Sequence, residues 1–81
     1  MIKCDVHDYI ELVCLYNIEV ILTLHSGEEI KGIATTTNIN SDKQECLLVM
    51  EGDEVRAVVL ETIKNMRALS SNPYFSSIDI D

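Results

Sequence analysis

The sequence contains no tryptophan, a single proline, three glycines, and only six lysine or arginine residues against 14 acids. Each scarcity removes a class of protein. With so little proline and glycine, no low-complexity stretch, and 47% hydrophobic residues, the chain is not a disordered segment and should fold unaided. Gly27, Gly32 and Gly52 are too dispersed to form a glycine-rich phosphate loop. The longest nearly apolar run, Ile18 to Leu24, is far too short to span a bilayer. Lys3-Cys4-Asp5 brings an acid where a secretory leader would carry its apolar region. Three cysteines (Cys4, Cys14, Cys46) are an odd number and a poor basis for a disulfide framework. The expectation is a reduced, cytoplasmic protein with no membrane attachment.

The shortage of cations bears most directly on function. A formal net charge of −8 repels phosphate backbones and anionic lipid, and attracts basic proteins. Lys3, Lys31, Lys43, Arg56, Lys64 and Arg67 stand singly along the chain, so no basic patch is legible. With 81 residues there is room for one domain, which buries roughly 60–65% of its unfolded surface and leaves no space for separate cofactor and substrate domains.

Periodicity gives one helix followed by short strands. Asp5 is a good N-cap, Asp8 suits the first turn, and Asn17 suits the stop, which predicts a helix over about 6–16. At 100° per residue, Val6, Ile10, Val13 and Cys14 share one stripe, while Asp8, Glu11, Leu12 and Leu15 fall opposite. Those leucines are either covered by the C-terminal tail or, interleaved with acids, face a partner. Ile18, Val20, Leu22 and Leu24 alternate with Glu19, Thr23 and His25, with Ile21 as the exception, and mark a half-buried strand. Ser26-Gly27-Glu28 is a hairpin turn, and Glu29 to Thr37 a second strand in which Gly32 marks a bulge or sharp bend. A polar loop over 38–43 precedes a third strand, Gln44 to Glu51. Gly52-Asp53 turns into a fourth, Glu54 to Leu60, with Arg56 opposing Val55, Ala57 and Val59. Ile63 to Leu69 is a weaker fifth strand. The stretch 70–81 reads as a tail that tucks Tyr74 and Phe75 onto the body. The expected fold is mainly β with one N-terminal helix: a small Sm-like (SH3-like) five-stranded antiparallel barrel over about 18–69, in a single domain over 1–81.

Sites for chemistry are scarce. Cys4, His7 and Cys14 have a cysteine-histidine spacing, but the second paired spacing of a structural zinc site is missing, and completion would require His25 or Cys46 from distant strands. A cysteine nucleophile would have only His7 or His25 as base. No enzyme activity, metal or cofactor is expected. The acidic helix face alone combines charge, position and apolar neighbours.

That helix carries a resemblance. Cys4-Asp5-Val6-His7-Asp8-Tyr9-Ile10-Glu11-Leu12-Val13-Cys14 resembles the signature of the Rof family, also called YaeO: Cys-Asp, an Asp three residues on, then aliphatic, Glu, aliphatic and Cys. The likeness continues through Leu22-Thr23-Leu24, Gly27-Glu28, Gly32-Ile33-Ala34, Glu45-Cys46-Leu47 and Leu60-Glu61-Thr62-Ile63, covering roughly residues 2–75. These are small bacterial inhibitors of the transcription termination factor Rho. The resemblance implies an Sm-like fold, binding to the N-terminal RNA-binding domain of Rho, and block of its primary site for single-stranded RNA, hence antitermination. By position, Asp8 and Glu11 match family acids that contact Rho, with Asp5 close by and Leu12 on the same surface. His7 stands where family members often carry tyrosine, so imidazole replaces an aromatic contact. In the loop after the second strand, where relatives can carry adjacent basic residues, only Lys43 is present. The implied form is a monomer when free. Two other readings share parts of the pattern: an RNA-binding Sm-like module, which the charge opposes, and an acidic adaptor for another basic protein. The charge gives a direct test. Titrated with labelled single-stranded RNA at physiological salt, the protein should show no saturable binding, and micromolar saturation would put the RNA-binding module first.

Overall fold

Helix α1 (Cys4–Leu15) lays Val6, Ile10 and Val13 into the core, each at most 6% exposed, as the apolar stripe requires. The computed structural model describes residues 4–69 and 76–80, with side chains from Val6 onward. Because α1 begins at Cys4, Asp5 lies within its first turn instead of capping it. The helix stops at Asn17, whose φ of 49° is the left-handed conformation that asparagine tolerates. The Asn17 side-chain amide donates to the carbonyls of Cys14 (3.2 Å) and Ala34 (3.1 Å), fastening the helix end to the strand beneath it.

Six strands follow: β1 (Glu19–Leu24), β2 (Glu29–Ile39), β3 (Glu45–Glu51), β4 (Glu54–Val59), β5 (Ile63–Ala68) and β6 (Ser77–Asp79). They form one antiparallel sheet in the order β4-β3-β2-β1-β5-β6. This corrects the expected five-stranded barrel: the sheet is open, and it has six strands. Closure would require β4 to pair with β5. Instead a 3-10 turn at Leu60–Thr62 carries the chain across, β5 pairs with β1, and the outer edge of β5 is taken by β6. The extra strand comes from the expected tail. Ser77-Ile78-Asp79-Ile80 alternates with period two, and Ile80 is buried at 3% exposure, so the acidic ending conceals a strand pattern. Tyr74 and Phe75 lie outside the described residues.

The inner face of the sheet supplies Val20, Leu22, Ile30, Ala34, Leu47, Val49, Val58 and Met66, and α1 covers it. Each large aliphatic buried there contributes about 1.5–3 kcal/mol. In β4 the expected parity is reversed. Leu47 pairs with Val58 and both point inward, whereas Val55 is 58% exposed. Partners directly across an antiparallel ladder share a face, so β3 dictates the parity of β4 whatever the local pattern. Arg56 therefore lies at an inward register opposite Val49, but at the sheet edge its guanidinium reaches out to Glu28 (2.8 Å) and Glu51 (3.8 Å). The Ile21 exception is also explained: on the outer face it is flanked in register by Lys31 and Arg67.

Two features bend the long β2. The register against β3 shifts between Ala34 and Thr36, leaving Thr35 as the extra residue of a bulge. Gly32, the residue expected to mark it, lies just upstream and does something different. A Cβ there would stand 2.8 Å from the Met50 carbonyl oxygen and 3.3 Å from the Val49 Cβ, so glycine permits the close approach of β3. Gly32→Ala sets a gain of about 0.4–1 kcal/mol from a stiffer unfolded chain against overpacking of about 1–3 kcal/mol on rigid backbone. The clash should win. Urea unfolding should show net destabilisation, and a stabilised variant would mean that β3 can move away freely.

Candidate partner-binding site

The outer side of α1 is the most distinctive surface. Asp8 and Glu11 are exposed on successive turns, opposite Ile10 and Val13, and neither has a cation partner among the described residues. Leu12, on the same side of the helix, is half-buried. Leu15 is 71% exposed and Tyr16 56% exposed, so no described residue covers this end of the helix; the expected cover by the C-terminal tail falls largely on residues outside those described. The Asp5 side chain lies outside the described residues.

His7 points towards the sheet. Its Nε2 is 2.9 Å from Oε1 of Glu45, the first residue of β3, with both side chains 40% exposed. The ring nitrogen donates to the carboxylate, which links the N-terminal half of α1 to the end of the loop before β3. Lys43 stands two residues earlier, exposed and at φ 62°. That unusual backbone is held by Asn40: its Oδ1 accepts from the amides of Asp42 and Gln44, both at 2.9 Å, and its carbonyl accepts from the Lys43 amide at 3.0 Å. The helix and the loop are thus neighbours through His7 and Glu45, although 38 residues separate that pair in the chain. Sequence reasoning identified His7 and Lys43 but missed Glu45, which looks like any strand-start acid until the helix is folded over it.

A shallow groove continues the surface past the end of the helix. Glu11, Cys14 and Leu15 line one side, and Thr35, Thr36 and Thr37 of the β2 bulge line the other. The threonines read in the sequence as ordinary β-branched strand residues, and only the bulge reveals them as a wall.

Neither of the two described thiols has a setting that activates it. Burial, and secondarily the negative charge of Glu11, raise the Cys14 pKa above its ordinary value, which keeps the thiol protonated. Cys46 is buried and points its sulfur at the Gln44 carbonyl, 3.6 Å away; both cysteines are unpaired. Among the described residues there is no group of three or more metal-ligating side chains, and no helix is long and apolar enough to cross a membrane.

An open sheet thus lies under a single helix, and the carboxylates on the solvent side of that helix have no cation partner among the described residues. The chain belongs to the Rof family: the family described as "Modulator of Rho-dependent transcription termination (ROF)" matches residues 1–80. That is a family of regulators and not of enzymes. The solved structure of YaeO bound to magnesium from Vibrio cholerae O395 is similar in fold and sequence, with a TM-score of 0.87 and 42% identity over 91% of this chain and 96% of that one. No curated protein matches the chain.

The His7–Glu45 link can be weighed by a double-mutant cycle. At this exposure, His7→Ala and Glu45→Ala should show a coupling of about 0.2–1 kcal/mol in unfolding free energy. Either change should also speed amide exchange in the first two turns of α1 more than in β1. Zero coupling with unchanged exchange would remove the pair as a tie between helix and loop.

Proposed function

We propose that this protein is an inhibitor of Rho that binds the Rho N-terminal RNA-binding domain and occupies the primary site for single-stranded RNA. The observation that carries the reading is the exposed pair Asp8 and Glu11, free of cations among the described residues, on a helix whose opposite side is fully committed to the core. A site that captures single-stranded RNA is a basic groove with stacking platforms. Carboxylates projecting from a rigid helix can enter such a groove as substitutes for phosphate, and a net charge of −8 steers the encounter. Family membership supplies Rho as the system acted upon. The proposed contact set is Asp5, His7, Asp8, Glu11, Leu12 and Lys43. The loop residue Lys43 would meet an acidic or carbonyl group of Rho beside the main contact. The protein would act as a monomer, with no cofactor, in the cytoplasm where transcripts are terminated, and without touching RNA.

The test is charge reversal. Asp8→Lys with Glu11→Lys should weaken Rho binding by about two orders of magnitude or more, since each lost charge pair across such an interface costs ~1.5–5 kcal/mol. RNA capture by Rho should return in a competition assay. Raising salt should weaken wild-type binding in the same direction. Circular dichroism is the control, because Asp8 also favours the helix N-terminus. A folded double variant that still displaces RNA from Rho would sink the site assignment.

A further inference from the structure

We infer that the groove between the end of α1 and the bulge of β2 is a seat for one arginine side chain of the partner protein, a step that rests on the reading above that α1 docks on a basic protein. Glu11 and two of the three threonines present acceptors to the groove. Glu11 presents a carboxylate with no cation on it among the described residues. Thr35 spends its hydroxyl hydrogen on the Leu48 carbonyl (3.0 Å) and Thr36 directs its own towards the Thr37 carbonyl (3.5 Å), so both oxygens offer lone pairs. A ligand that only donates is matched to such a rim, and guanidinium has five N–H groups and no acceptor. Its planar fork can engage a carboxylate and a hydroxyl together, which a single ammonium cannot do as well.

The walls suit the rest of an arginine. Leu15, 71% exposed, and the half-buried Cys14 give an apolar flank along which a methylene stem can lie while its charged head reaches Glu11. An anion is excluded by Glu11, and a purely apolar group would leave the carboxylate and the threonine oxygens unpaired and desolvated. Burial chiefly, and the charge of Glu11 secondarily, raise the thiol pKa of Cys14, so the carboxylate lies close to this flank of the groove. The groove is also rigid. Asn17 bridges the carbonyls of Cys14 and Ala34, so the helix end and the bulge keep their separation before any partner arrives.

The experiment fills the groove from within. Thr36→Arg and, separately, Leu15→Arg place a guanidinium of the chain's own beside Glu11; Leu15 is so exposed that its replacement leaves the core intact. Ser26→Arg, in the β1–β2 turn, makes the same change of net charge elsewhere. Titrated against intact Rho, both groove variants should bind about tenfold more weakly or worse, and Ser26→Arg within about threefold of wild type. In the wild-type complex, alkylation of Cys14 by N-ethylmaleimide, read by peptide mass spectrometry, should slow at least several-fold. At least one Rho arginine should be shielded from phenylglyoxal. Normal binding by a folded groove variant, an unprotected Cys14, or no shielded arginine would each overturn the inference. If Asp8→Lys with Glu11→Lys loses Rho while the groove variants bind normally, only the groove assignment falls; if that double variant binds normally, the parent reading falls with it.

Discussion

Everything in this molecule depends on the fact that the sheet does not close. A closed barrel buries its interior by itself. An open sheet leaves Val20, Leu22, Ile30 and Leu47 to be covered by something else. Here α1 supplies part of that cover and commits Val6, Ile10 and Val13 to the task. A two-turn stripe occupies only one side of a helix, and the other side is free of any packing duty. The acids Asp8 and Glu11 can therefore sit on the same element that seals the core without cost to its burial. In the proposed reading, recognition and stability use opposite faces of one helix.

The position of that helix is fixed at both ends by polar ties. At its start His7 reaches Glu45 in β3, and at its finish Asn17 reaches the Ala34 carbonyl in β2. The first tie is half-exposed and weak by itself. The second joins one side-chain amide to two carbonyls, Cys14 at the helix end and Ala34 in β2. With the core packing of Val6, Ile10 and Val13 they oppose rolling of the helix, the motion that would move the carboxylates relative to the loop bearing Lys43. A braced loop helps in the same way: with Asn40 holding Lys43 in its left-handed conformation, little ordering remains to be done on contact.

Much of this was legible in the sequence. The helix stripe, the stop at Asn17, the turns at Gly27 and Gly52 and the placement of β1 to β5 are local in origin, set by periods of 3.6 and two and by residues that accept positive φ. What was not legible is non-local. Nothing in Glu54-Val55-Arg56-Ala57-Val58-Val59 says that β3 will turn Val58 inward, and local alternation pointed the other way. Openness was hidden because it depends on where β5 pairs, and the sixth strand because its three residues make too short a period to read. Asp8 and Glu11 were visible as an exposed face, whereas Glu45 and the threonine wall of the groove exist only once β2, β3 and α1 are assembled. The resemblance to Rof carried the functional reading further than composition could, since an acidic surface alone would fit many basic partners.

The short strand at the far edge has a consequence for assembly. Small sheets of this architecture can join edge to edge, one copy's outermost strand pairing with the next copy's, and such head-to-tail joints close into rings or run on as filaments. Each joint needs two long, complementary edges. In this chain one edge is β4, six residues long, but the other is β6, which offers a ladder of only three residues and ends in Asp79. By occupying β5, β6 leaves a described ladder of three residues on that side, half the length that β4 offers on the other. A joint between copies at this edge would rest on that short ladder.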